Sequence, residues 1–523
     1  MEDLGQHSGG FEEVASIPRI HGRLAPESAA LTFGDKTTTF SQLDTQSNQI
    51  ANGLIKAGLG IGARVAVLAM DSDDVFKLLF GIAKAGCVFT GINWRLAPAE
   101  IRYILENGEV EALFVDGDRH ELGLELASEM PAIGLVQSLD DLDNWLATQC
   151  TGDPDLPEDP ERIFAQLYTS GTTGNPKGVR LANRSFFAVV KSMAAAGDPW
   201  IGWRPEDCTL FNIPSFHIGG LWWAMTTLAA GARGVVLPLF DARLVHELVP
   251  QFGVSKVCMV PAMIQMTLDE KGAETVDWAS LKHLVYGGAP IPQVLLERAW
   301  ETLDCELVQI YGLTETGNTA VCLRAEDHRH PGLLSAAGRP YPGVELKVID
   351  SSGKPVPAHT IGEVCLRSPA NMVEYWRMPE ATAATLRDGW VHTGDAGYVD
   401  ESGFLFICDR IKDMVISAGE NIYPAEIESV LASFPGVREA AVLGIPHERW
   451  GEQVLALVVK TEDEAGANLR KRVLLDHCRG ALADFKVPTR VEFRPPLPRT
   501  ASGKIKKAEL RAPYWEGRSR QVN

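Results

Sequence analysis

Tyr168-Thr169-Ser170-Gly171-Thr172-Thr173-Gly174-Asn175-Pro176-Lys177-Gly178-Val179 continues the apolar, strand-like run Ile163-Phe164-Ala165-Gln166-Leu167. A strand that opens into glycines, hydroxyls and a lysine is suited to phosphate. Glycine lets backbone N–H groups turn towards an anion. Ser and Thr hydroxyls donate to phosphate oxygens, and lysine adds a point charge. The Walker A pattern G-x-x-x-x-G-K-[ST] does not fit, because Pro176 stands where its second glycine belongs and Gly178 follows Lys177. The stretch is therefore a phosphate loop of another kind, or a surface turn without a ligand.

Outward from this loop, strand and helix patterns alternate. Residues 31–33 and 37–40 read as a hairpin around Gly34-Asp35-Lys36, and Ser41 is placed to cap a helix carrying Leu43, Ile50 and Leu54. A strand at 64–70, a helix at 75–85 and a strand near 87–89 follow. Strands at 234–237, 256–260, 284–286 and 307–311 continue the pattern, with a buried helix over 221–230. This alternation predicts α/β architecture with parallel sheets, whose ligands bind beyond strand C-terminal ends. From about residue 338 short strands dominate (345–349, 363–367, 404–407), predicting a β-rich subdomain. The remainder, with a helix from Pro424, strands at 439–443 and 454–459 and a helix over 469–482, predicts a small α+β domain. The division expected is 1–409 for a large N-terminal domain and 410–523 for a small, mobile C-terminal one.

The chain has 523 residues and a formal net charge of −19. That acidity opposes non-specific nucleic-acid binding. Nine cysteines without a C-x-x-C pair suit free thiols in a reducing compartment. No signal-peptide pattern opens the sequence, and residues 210–232, uncharged but carrying Asn212, Pro214, His217 and three glycines, read as a buried loop and helix. A cytoplasmic enzyme without a transmembrane segment is expected.

Five further motifs and one histidine bear on chemistry. Each has a plain structural explanation when taken alone. Gln309-Ile310-Tyr311-Gly312-Leu313-Thr314-Glu315-Thr316 could be a capped turn, and Tyr286-Gly287-Gly288-Ala289-Pro290 a tight packing site. Asp395, ending Trp390-Val391-His392-Thr393-Gly394-Asp395, could serve its turn. Asp409-Arg410-Ile411-Lys412-Asp413 could be a solvated surface turn, and Pro498-Arg499-Thr500-Ala501-Ser502-Gly503-Lys504 a basic tail loop. His217, on the apolar stretch 214–220, could be a satisfied core residue.

Together, and in their order along the chain, these motifs resemble the adenylate-forming enzymes: acyl-CoA synthetases, luciferases and the adenylation domains of peptide synthetases. The resemblance spans about residues 30–510. It implies that Thr169, Ser170, Gly171, Thr172, Thr173, Gly174 and Lys177 clamp the phosphates of ATP. It places Tyr311 against adenine beside Gly312, Thr314 on the α-phosphate and Glu315 on Mg²⁺. Gly288, Ala289 and Pro290 would lie along the nucleotide, Asp395 on the ribose hydroxyls, Ile407 nearby, and Arg410 on ribose or phosphate. Lys412 would be the hinge. Lys504 would be the catalytic lysine of adenylation, acting with Thr314, Glu315 and His217. Asp409 departs from the glycine many members carry there, which favours the acyl-CoA synthetase branch.

The implied reaction is carboxylate plus ATP giving acyl-AMP and pyrophosphate, then attack by the coenzyme A thiol. A carrier protein in trans as acceptor, luciferase-type oxidation and a non-catalytic nucleotide-binding scaffold are the alternatives. A homodimer stays open. His217, Gly220, Gly287, Gly288, Gly312 and Gly317 are assigned to the acyl pocket. Small walls at Gly219, Gly220, Gly287, Gly288 and Gly317 would favour a medium or long aliphatic, aryl or polycyclic acid over acetate.

Overall fold

The computed structural model describes residues 10–169, 176–417, 420–500 and 504–516. Among them the strands form four sheets. The first runs, edge to edge, Glu374–Tyr375, Lys177–Ala182, Ile163–Thr169, Val88–Gly91, Arg64–Leu68, Val110–Val115, Leu135–Ser138. Its last five strands are parallel and its first two add antiparallel. The second has nine strands, with a parallel centre of Glu306–Tyr311, His283–Gly287, Lys256–Met259, Cys208–Phe211, Arg233–Val236 and Ala29–Phe33. The parallel strands are buried almost throughout, which explains their unbroken apolar runs.

The helix Ile218–Ala229 accounts for the uncharged stretch. It is buried nearly all round, including Trp222 and Trp223. No helix among the described residues is long and apolar enough to cross a membrane.

The hairpin at 29–39 forms as expected, but the cap of the next helix is Thr39, not Ser41. The Thr39 hydroxyl accepts from Gln42 N–H at 3.2 Å while Gln42 Oε1 accepts from Thr39 N–H at 2.9 Å. This reciprocal pair starts the helix at Phe40, whose buried ring joins the core.

The third sheet is antiparallel: Glu345–Ile349, Gly362–Arg367, Trp390–Val399 and Leu386–Arg387, with Leu405–Arg410 also on Trp390–Val399. The fourth joins Glu420–Ile422, Val415–Ser417, Gly451–Lys460 and Val437–His447, with Arg490–Phe493 parallel to Gly451–Lys460. Its apolar clusters draw only on residues from Val415 onward, so this unit has its own core. The last helix, Lys507–Trp515, is seated on it by Lys507–Glu428 at 2.8 Å, Arg511–Asp413 at 2.7 Å and Trp515 Nε1–H to Gly444 O at 3.0 Å.

Candidate active site

Three elements meet at Asp395. Tyr311 ends the strand Glu306–Tyr311, and its hydroxyl donates to Asp395 Oδ2 at 2.6 Å. Arg410 stands opposite Asp395 in register and places Nε 2.7 Å from Oδ1. Burial, then the Asp395 carboxylate, push the Tyr311 phenol far above its ordinary value, so it remains a donor. Burial works against the Arg410 charge, but Asp395, Tyr311 and Glu315 outweigh it and hold the guanidinium protonated.

The turn before Asp395 is tightly braced. Gly394 has φ +68°. Thr393 Oγ1 donates to Val364 O at 2.7 Å and accepts from Asp395 N–H at 3.0 Å. Glu363 takes the Gly394 N–H at 3.2 Å, and its other oxygen lies 2.9 Å from His392 Nδ1, which is 3.6 Å from Cys365 Sγ. This Glu–His–Cys group, although close enough to consider as a metal site, is accounted for as the hydrogen-bonded brace of the turn.

At the strand end that opens into the glycine loop, Thr169 and Lys177 face one another across an antiparallel pair. Ser170, Gly171, Thr172, Thr173 and Gly174 lie outside the described residues. Lys177 Nζ sits 4.8 Å from the centroid of the Tyr375 ring. The Tyr375 hydroxyl donates to Glu315 Oε1 at 2.7 Å. Glu315 and Thr314 share the short turn Thr314–Thr316, which Thr316 Oγ1 braces by accepting from Leu313 N–H at 2.9 Å. The Glu315 carboxylate is thus oriented, half-buried and hard in its oxygen chemistry, which fits Mg²⁺.

The pocket glycines divide. A Cβ on Gly220 would lie 2.3 Å from Ile213 O; on Gly287, 2.3 Å from Ile310 O; on Gly312, 2.1 Å from Asn318 O; on Gly317, 2.5 Å from Ser185 O. Close backbone approach explains these four, so they say nothing about acid size, and the small-wall expectation does not stand on them. Gly219 and Gly288 differ: added Cβ atoms would meet only side-chain carbons, at 3.9 and 3.5 Å, although Gly288 sits at φ +79°, which by itself favours glycine.

His217 precedes the helix Ile218–Ala229 and its Nε2 is buried without a hydrogen-bond partner among the described residues. Burial first, then Lys504 and Arg95, push the imidazole down to about 4. It is neutral at ordinary pH. Lys504 itself stands at the foot of a turn, its N–H donating to Thr500 Oγ1 at 3.1 Å and its carbonyl accepting from Thr500 N–H at 2.7 Å. The turn is tied down by Glu439, which takes the Leu497 N–H at 3.1 Å and pairs with Arg499. The Lys504 side chain is solvent-accessible, yet the protein walls around it, and then Arg410, lower its ammonium pKa, against the pull of Asp395 and Glu315. The lysine predicted for adenylation, the two acidic groups, Arg410 and His217 are therefore electrostatic neighbours.

Residues 20–376 match the model of the AMP-binding enzyme family, and residues 426–504 match that of the AMP-binding enzyme C-terminal domain. The chain belongs to the AMP-binding enzymes. It is similar to a fatty acid–[acyl-carrier-protein] ligase of Streptomyces coeruleorubidus, 47% identical over 99% of both chains. It also resembles a feruloyl-CoA synthase of Amycolatopsis, 35% identical over 95% of this chain and 98% of that one. Among solved structures, an anthranilate CoA ligase in complex with anthranoyl-AMP superposes with a TM-score of 0.88 at 28% identity, covering 96% of this chain and 97% of that one. ATP-bound MatB from Rhodopseudomonas palustris gives 0.86 at 28%, covering 95% and 98%. The chain is an ATP-using, AMP-forming acid–thiol ligase.

Several residues of this AMP-binding enzyme gave no usable signal in the sequence. Tyr375 and Glu363 hold Glu315 and Gly394 from distant segments, and nothing in their local sequences distinguishes them from ordinary strand residues. Asp71 is another. At 5% exposure it accepts from Ser215, two residues before His217, and burial pushes its carboxyl up to about 6.

Proposed function

We propose that the enzyme activates a medium- or long-chain fatty, aryl or polycyclic acid as its adenylate and passes the acyl group to coenzyme A. The observation that carries the first step is the closed Tyr311–Asp395–Arg410 network, whose charges, with that of Glu315, act on Lys504. A carboxylate attacking the α-phosphate brings two anions together. The ammonium of Lys504 offsets that charge as the new bond forms. Asp395 receives the ribose hydroxyls, Tyr311 lies against adenine with Gly288, Ala289, Pro290, Gly312 and Ile407 around it, and Arg410 and Thr314 face the phosphates. Residues 169–174 and Lys177 clamp the pyrophosphate that leaves. Glu315 is the residue that would hold Mg²⁺, which when bound neutralises phosphate charge.

For the second step, rotation near Lys412 would withdraw Lys504 and bring the 416–419 segment towards the thiol. Trp450 supports coenzyme A as acceptor. It is 40% exposed, stacked on His447 with centroids 4.3 Å apart, and next to Gly451, which pairs with Ser417. A flat exposed aromatic suits an adenine. The relative at 47% identity favours a second reading, in which the thiol belongs to an acyl carrier protein. The acid class is supported by the names of the relatives and by Gly219, where an added Cβ would make only an ordinary contact, 3.9 Å from Ile213 Cγ2.

A panel of acids assayed for pyrophosphate release, with coenzyme A and a phosphopantetheinylated acyl carrier protein compared as acceptors, tests this. The expected result is AMP, pyrophosphate and an acyl-CoA thioester from a larger acid. ADP as product would overturn the reaction; preference for acetate would overturn the acid class. Thioester formed on the carrier alone would transfer the assignment to the second reading.

A further inference from the structure

The loop between the strand Cys208–Phe211 and the helix Ile218–Ala229 belongs to the nine-stranded sheet but is held by the seven-stranded one. Asp71, just past the strand Arg64–Leu68, accepts from Ser215 N–H at 2.9 Å and from the Ser215 hydroxyl at 2.5 Å. Both residues are buried, at 5% and 3% exposure. The next residue, Phe216, rests on Gly91 at the end of the adjacent strand, where a Cβ would lie 2.8 Å from Phe216 Cα. On the other side Gly220 seats the helix on the carbonyls of Ile213 and Pro214. The loop is gripped by the seven-stranded sheet and folded tightly against its own following helix immediately before His217.

A buried carboxylate is costly unless its hydrogen bonds compensate. An apolar side chain could fill the same space without that cost, but it could not satisfy the Ser215 N–H and hydroxyl. Without Asp71 those two groups would be buried and unpaired, and the loop would relax to find other partners.

We propose that Asp71 is the positioning residue of the acid subsite, fixing through Ser215 the loop that sets His217 and Gly219 against the bound carboxylic acid. This rests on the reading that His217 faces the acid. Asp71 touches no substrate, so it acts on acid recognition and leaves the nucleotide site alone.

The test measures KM for the acid and for ATP in acid-dependent pyrophosphate release. Asp71→Ala should raise the acid KM about 10-fold, changing kcat and the ATP KM less than about 3-fold. Asp71→Asn keeps an oxygen for the Ser215 N–H and adds an NH₂ for the hydroxyl, so it should restore the acid KM to within about 3-fold. Should Asp71→Ala not fold, Ser215→Ala removes the hydroxyl bond alone and should still raise the acid KM about 3-fold. An unchanged acid KM in these variants, while His217→Ala raises it, overturns the proposal and leaves the subsite reading intact. An unchanged acid KM in His217→Ala overturns that underlying reading. Equal damage to acid and ATP KM in both Asp71 variants marks a general structural role and also overturns the proposal.

Discussion

The nucleotide cleft has two sides that are built differently. On the side of residues up to Arg410, the groups proposed to receive the ribose are held in a closed network: Tyr311 and Arg410 both grip Asp395, while Glu363 and Thr393 brace the turn that carries it. On the other side Lys504 is bonded to Thr500, in a segment that Glu439 holds through the Leu497 N–H and Arg499. The charges differ as well. Residues 1–409 carry 30 Lys and Arg against 53 Asp and Glu, whereas residues 410–523 carry 19 against 15. Fixed hydrogen-bonded groups suit binding that persists through the reaction. A cation carried on a unit with its own core suits a charge needed in one step and unwanted in the next.

Removing Lys504 should widen this contrast most. Lys504→Ala should slow acid-dependent pyrophosphate release about 10²- to 10³-fold, while thioester formation from synthetic acyl-AMP stays within about 3-fold of wild type. Comparable loss in both half-reactions would break the comparison. Asp395→Ala should damage both sides of the catalytic cycle. It should raise the ATP KM about 10- to 100-fold, and lower stability by about 1–3 kcal/mol in thermal unfolding, because Arg410 and Tyr311 lose their shared acceptor. Trp450→Ala should act only on the second step, raising the coenzyme A KM about 5-fold, roughly 1 kcal/mol of stacking, without altering pyrophosphate release.

The pH profile gives the smallest effect. The protein walls around Lys504, and then Arg410, lower its pKa, so its ammonium is lost as pH rises before the ordinary lysine value of 10.5 is reached. Adenylation should fall along that alkaline limb, and Lys504→Arg, whose guanidinium stays protonated, should lack it. His217 is neutral above about pH 4, so it should add no inflection between pH 6 and 8. An inflection there that disappears in His217→Ala would contradict the burial of this imidazole.

Much of the fold was legible because each element announces itself locally. The helix at 218–229 and the parallel strands could be read from short apolar runs, and the Thr39 cap was missed by two residues because Ser41 is an equally good capping type until Gln42 is seen reaching back. The glycines were harder. Gly287 and Gly312 looked like pocket walls, but their need for no side chain comes from Ile310 O and Asn318 O, which only folding brings near.

By itself, then, the sequence determined which groups are available: a strand opening into a Gly/Ser/Thr/Lys loop, the carboxylates Asp395 and Glu315, and a lysine near the C-terminus, since residue type and spacing are set along the chain. Only the tertiary structure decided which of these meet and what supports them. Tyr311 reaches Asp395 across 84 positions, Tyr375 reaches Glu315 across 60, and Ser215 reaches Asp71 across 144. Hydrogen bonds act over about 3 Å, and no local pattern can record a partner that arrives from another sheet.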